Sequence, residues 1–168
     1  DEGLEEIRLQ VKDRVDFIKF TADGLSRNAR GELIACFNQQ ELSAMVEECH
    51  RLGVKCISHA RGREAVLTSA RAGVDILFHG FEMDQEGLDA VVENGTTLSP
   101  ALTFLVNTVE FTREGDPCFK WRPNMNRNDV EIASEMLVEA RKAGVPFMVG
   151  SDSGFAVTPY GEWHAKEL

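Results

Sequence analysis

No stretch of this chain approaches the roughly 20 consecutive apolar residues that a membrane-crossing helix needs, so its hydrophobic residues must serve a packed core. Positive charge is also in short supply. Eighteen Lys and Arg face 28 Asp and Glu, leaving a net charge of −10. That balance argues against nucleic acid or an anionic membrane as partner, because phosphate contact draws on an excess of Lys and Arg. The acidic residues, Glu47, Glu48, Glu86 and Asp89 among them, spread over predicted helix faces and are expected to form a solvated exterior. Cysteine is sparse. Cys36, Cys49, Cys56 and Cys118 form no Cys-x-x-Cys pair, which counts against a zinc finger and fits a reducing, cytoplasmic setting. Cys56 lies in an apolar run and reads as a small buried residue. The first residue is Asp1, so an export signal upstream stays open.

What is present is a rhythm. With 168 residues, the chain suffices for a single domain over 1–168. Helices are expected over 3–13, 39–52, 62–72, 84–94 and 127–143, and strands over 15–20, 54–59, 74–79, 97–100 and 145–150. Leu42, Met45, Val46 and Cys49 recur at helical spacing in the second helix. Gly53, Gly73, Gly95 and Gly144 stand where helices stop. Residues 21–37 read as a long loop. Residues 101–126 read either as a lid over a site or as a helix with a packed surface loop. Strands alternating with helices imply a parallel sheet with right-handed crossovers. Five strands are too few for a closed eight-stranded barrel, so part of a barrel or a smaller open sheet is expected.

Four strand candidates carry a metal-competent residue at or near their C-terminal ends: Lys19, His59, His79 and Asp152. In a parallel α/β barrel these ends converge on one face. A lone His in an apolar strand is more often a core residue. Two at equivalent places in consecutive units favour ligands. Asp152, in Gly150-Ser151-Asp152-Ser153-Gly154, could hold a metal or take a proton, or merely cap a turn. Lys19 is unusual inside an apolar strand. Burial would make its amine reactive toward a carbonyl or CO2, whereas snorkelling would return it to solvent. Arg61 and Arg63 follow His59 and could clamp a substrate carboxylate, or simply face solvent. Tyr160 and His164 could line the pocket, with packing the plainer role for His164.

Taken together, Ile18-Lys19, Ser58-His59-Ala60, Phe78-His79-Gly80 and Gly150-Ser151-Asp152-Ser153-Gly154 resemble the metal-dependent amidohydrolase superfamily, in its prolidase-like and imidazolonepropionase-like branch. The helix end His50-Arg51-Leu52-Gly53 and the lead-ins Ala72-Gly73-Val74-Asp75 and Ala143-Gly144-Val145-Pro146 fit the same resemblance. It implies a (β/α)8 barrel. It also implies two divalent ions, zinc by preference, bridged by a carboxylated Lys19. His59 and His79 would be further ligands, and Asp152 a ligand and general base. The implied reaction is cleavage of an amide, peptide-like or cyclic amide C–N bond in a small-molecule or dipeptide-like substrate by metal-activated hydroxide.

One departure stands out. The family's His-x-His ligand pair occurs nowhere in this chain, and its first three strands and small β-sandwich have no counterpart. The expectation is therefore a partial barrel, about strands four to eight, from the C-terminal part of a longer parent. Alone it would be inactive and prone to homo-oligomerise. Two rival readings are a Schiff-base aldolase built on Lys19 and a catalytically silent half-barrel that serves as an interaction module.

Overall fold

The computed structural model describes residues 2–112, 127–155 and 157–168. Its elements run α1 (Glu2–Lys12), β1 (Phe17–Thr21), β2 (Asp23–Arg27), β3 (Leu33–Ala35), α2 (Gln39–Arg51), β4 (Lys55–Ala60), α3 (Arg63–Ala72), β5 (Ile76–His79), α4 (Gln85–Asn94), β6 (Thr97–Ser99), α5 (Leu102–Phe111), α6 (Arg127–Lys142) and α7 (His164–Glu167). Strands β1, β4, β5 and β6 form one parallel sheet in that order. This is a partial (β/α)8 barrel: consecutive strands, helical crossovers, and an arc that does not close.

Alternation assigns each strand residue to a face. Phe20, Ser58, Leu77 and Leu98 share one register row and are buried against the helices. There they join Leu42, Val46 and Val66 in the main core. Each of the large apolar side chains contributes about 1.5–3 kcal/mol by leaving water, while the Ser58 hydroxyl pairs with that of Ser69 at 2.7 Å. The opposite face carries the rows Lys19, Ile57, Ile76, Thr97 and Thr21, His59, Phe78, Ser99. That face is only partly covered, with Phe17 and Lys19 exposed on it.

Helix boundaries follow local chemistry. Asn38 caps α2 with a reciprocal Glu41 bond, satisfying N–H groups that a helix start leaves free. Gly73 closes α3 at φ 83°, a conformation that costs an L residue more than glycine. The start of α5 lacks such help from its own cap residue, Ala101. Instead Glu167, in α7, accepts from the backbone N–H groups of Leu102 and Thr103 at 3.0 and 2.8 Å. Lys166 adds a 2.7 Å bond to Asn107 on the same helix.

Three expectations are corrected. The loop expected over 21–37 contains an antiparallel hairpin of β2 and β3. Its turn is held by Asn28, whose side-chain oxygen accepts from the N–H groups of Arg30 and Glu32. The strand expected over 145–150 reduces to one parallel bridge, Leu98 to Phe147. Pro146 has no N–H to give a ladder, although its carbonyl accepts from Leu98. Glu48 is not solvated: it is nearly buried and ion-paired with Arg8 and Arg51. Bonds from Arg51 and then Arg8 hold its carboxyl down at about 2. Of the segment expected over 101–126, residues 102–111 form α5, while 113–126 lie outside the described residues, with Cys118, Phe119 and Trp121.

Candidate functional site

The site is built where the strands end. His59 is on the open face of β4, beside Phe78 in register. Strict alternation would place His79 with Leu77 on the helix side. At φ 81° the backbone leaves the strand path, and the imidazole meets His59 instead. His79 Nε2 lies 3.0 Å from His59 Nδ1, with the rings edge to face at 4.6 Å between centroids. Phe81 and Phe104 pack around His79. Burial first, then the neighbouring His59 and Arg61, push its pKa down to about 3. The ring is therefore neutral at pH 7 and has a lone pair to offer.

Asp152 approaches from the loop after α6. Its Oδ2 lies 3.9 Å from His79 Nε2, and its side chain is 40% exposed. Its backbone is left-handed, at φ 49°. Thr158 steadies the loop through bonds to the Asp152 carbonyl and from the Gly154 N–H. His79, Ala101 and Asp152, three non-glycine residues at positive φ, all stand at this end of the sheet. Such strain persists only where the surroundings enforce it, and it concentrates at functional sites.

Asp23, at the start of β2, is the residue that sequence reasoning missed. Its side chain is fully buried, and Oδ2 accepts from the Arg61 and Gly62 N–H groups at 2.7 Å each. Oδ1 faces His59 Nε2 at 3.4 Å and Arg61 Nε at 3.6 Å. Burial alone would raise the carboxyl. The bonds from His59, Gly62 and Arg61 outweigh it and hold the pKa below the usual range. The available signal was an acid three residues after Phe20, between Ala22 and Gly24, where bulk is low.

The other candidates fall less close. Lys19 is exposed in the middle of β1, not buried at its end, because its face of the sheet is uncovered. Its Nζ lies 4.8 Å from the centroid of the Phe78 ring, next to His59 in register. The burial on which a Schiff-base role leaned is absent. Arg61 is buried and bound to the Gly24 carbonyl and to Asp23, a brace for β2. Arg63 is engaged with Asp84 and Glu86. Tyr160 is 81% exposed, yet packs so closely over Gly154 that a Cβ there would come within 2.5 Å of its hydroxyl. His164 opens α7 on the surface, away from the described contacts of His59 and His79.

A divalent metal suits this donor set. Two imidazole nitrogens meet, a carboxylate oxygen of Asp152 lies 3.9 Å from one of them, that imidazole is held neutral, and Asp23 faces the far nitrogen of the other. Two nitrogens bound to one tetrahedral zinc ion stand about 3.4 Å apart, close to the 3.0 Å between His59 and His79.

Known proteins share this arrangement of strands. A solved Xaa-Pro dipeptidase with methionine bound in its active site is 26% identical, with a TM-score of 0.79 over 99% of this chain and 40% of its own. An ochratoxinase from A. niger is 24% identical, with a TM-score of 0.76 over 99% of this chain and 36% of its own. An uncharacterized protein of Mycobacterium tuberculosis is 24% identical over 144 residues, 84% of this chain and 38% of that protein. The chain thus spans about two fifths of the length of the proteins it matches. The model of the amidohydrolase family matches residues 1–162, and the chain belongs to that family.

Proposed function

We propose that this chain carries one side of the active site of a metal-dependent hydrolase that cleaves C–N bonds in dipeptide-like or N-acyl substrates. The observation that carries the reading is the approach of His59 Nδ1 and His79 Nε2 to 3.0 Å at adjacent strand ends, with Asp152 Oδ2 3.9 Å from His79 Nε2. The family and its dipeptidase-like structural relatives support the same reading.

His59, His79 and Asp152 would hold the ion. Bound there, a divalent metal supplies a Lewis acid for the scissile carbonyl and lowers the pKa of water to about 7. The remaining work falls to the chain. Asp23 Oδ1, 3.4 Å from His59 Nε2, would favour the tautomer protonated there, which leaves Nδ1 free to coordinate. Asp152 Oδ2 takes the proton of the attacking water and later returns it to the leaving nitrogen. Phe81 and Phe104 keep bulk water from His79. Lys19, once carboxylated by CO2, would offer oxygen ligands from the neighbouring strand and allow a second ion.

The uncovered sheet face around Phe17, together with the exposed Phe147 and Val149, favours burial against another copy. Light scattering should therefore show a species larger than a monomer. Elemental analysis tests the site itself. Zinc retained by the purified chain should fall in both His59→Ala and His79→Ala. Unchanged occupancy in both variants would refute the assignment.

A further inference from the structure

At the other end of the strands, a second set of donor atoms meets. His50 lies in the last turn of α2, Cys56 is the second residue of β4, and Asp75 directly precedes β5. The short Leu52-Gly53 turn folds the end of α2 back onto β4, with the Val54 N–H donating to the Cys49 carbonyl. The ladder then brings in Asp75: its N–H donates to the Cys56 carbonyl at 3.1 Å, and the Cys56 N–H donates to Asp75 Oδ2 at 2.9 Å. The trio is thus fixed by backbone, independently of His59 and His79.

Asp75 Oδ2 lies 3.0 Å from His50 Nε2 and 3.6 Å from Cys56 Sγ, and those two lie 3.8 Å apart. Ligands at the usual 2.0–2.3 Å from a tetrahedral zinc ion are about 3.3–3.7 Å from one another. The three atoms therefore already stand at roughly the corners of one face of such a site. Burial is graded: the Cys56 thiol is fully buried, the Asp75 side chain is 24% exposed and His50 44%. A sulfur floor under an imidazole rim leaves the outer position to water.

We propose that His50, Cys56 and Asp75 form a second metal site, distinct from the strand-end site, which takes a zinc-like divalent cation. A thiolate, an imidazole and one carboxylate oxygen suit zinc and its neighbours; calcium and magnesium prefer sites built of oxygen alone. On binding, the Cys56 thiol proton and any proton on His50 Nε2 pass to solvent, and the ion takes their place between the donors. The ion would tie α2 to the starts of β4 and β5. That is the end of a barrel where side chains serve stability rather than catalysis.

Cobalt(II) is the probe, because its bond to a thiolate absorbs in the near ultraviolet and its bonds to nitrogen and oxygen do not. Titration of the reduced, purified chain should give a thiolate band that saturates at the absorbance of one cobalt–thiolate bond per chain. The band should persist in the His59→Ala/His79→Ala double variant and vanish in Cys56→Ser. His50→Asn, on the exposed rim, leaves the core intact and should raise the apparent Kd at least about tenfold. Absence of the band, its survival in Cys56→Ser, or an unchanged Kd in His50→Asn would reduce the trio to a hydrogen-bonded cluster and overturn the proposal. None of these outcomes depends on the fate of the His59 and His79 site.

Discussion

Asp23→Asn separates the roles of charge and shape at one buried carboxyl. The amide has nearly the same volume, so no cavity forms. Its oxygen can still accept from the Arg61 and Gly62 N–H groups, which now meet a neutral acceptor instead of an anion. Bonds to a charged group are worth about 1.5–3 kcal/mol and neutral ones about 0.5–1.5, so each loses about 1 kcal/mol and the pair about 2. The second effect falls on His59. The amide NH2 would now face Nε2, which becomes an acceptor, so the ring proton moves to Nδ1, the atom directed at His79. Zinc affinity should then fall about ten- to a hundredfold, as when a carboxylate behind a ligating His is removed. Urea unfolding reads the first effect, and competition with a chromophoric chelator reads the second. The wild-type carboxyl is depressed when folded, so its contribution is present above the unfolded pKa of 3.8 and lost as pH falls through the folded value. The stability gap between wild type and Asp23→Asn should therefore narrow in acid. A variant within about 0.5 kcal/mol of wild type at pH 7, with unchanged zinc affinity, would refute the reasoning.

Asp152→Asn should lower the turnover of a dipeptide substrate, assayed in the full-length parent, by about a hundred- to ten-thousandfold. Its melting temperature should hardly move, because Asn tolerates positive φ. Burial depresses His79 from 6.5 to about 3, so the unfolded chain binds the extra proton first. Stability is then full above about pH 6.5 and declines as pH falls toward 3. Urea midpoints at pH 7 and pH 5 should differ less in His79→Gln than in the wild type. Zinc-loaded protein kept in bicarbonate should carry the added mass of CO2 on Lys19 in peptide mapping under non-acidic conditions. A plain amine at full metal occupancy would exclude the bridging role.

Much of the scaffold was readable because local chemistry and tertiary structure agree. Gly73 and Gly95 end helices as the sequence suggested, and Leu42, Met45, Val46 and Cys49 form the buried face of α2. His59 and His79 were found because two like residues at like places are improbable as packing alone. The hairpin of β2 and β3 escaped because Asp23, Gly24, Ser26 and Arg27 show no apolar alternation; its pairing depends on the Asn28 turn. Asp23 escaped with it. Its importance comes from the Arg61 and Gly62 N–H groups, nearly 40 residues away. The burial expected of Lys19 failed for a different reason. An apolar run indicates a strand buried on both faces only when both faces are covered, and here one is open.

The carboxylate of Glu167 on the first N–H groups of α5 acts beyond the helix it caps. The same helix presents Phe104 to the His79 ring, 6.4 Å between centroids. A disturbance of α7 is thereby passed to the wall of the candidate site within a few residues of backbone. Loss of the Glu167 carboxylate would loosen the start of α5 and, through Phe104, one wall of the candidate site. A short surface helix far from the sheet in sequence thus belongs to the shaping of that wall, and Glu167→Gln should be felt there.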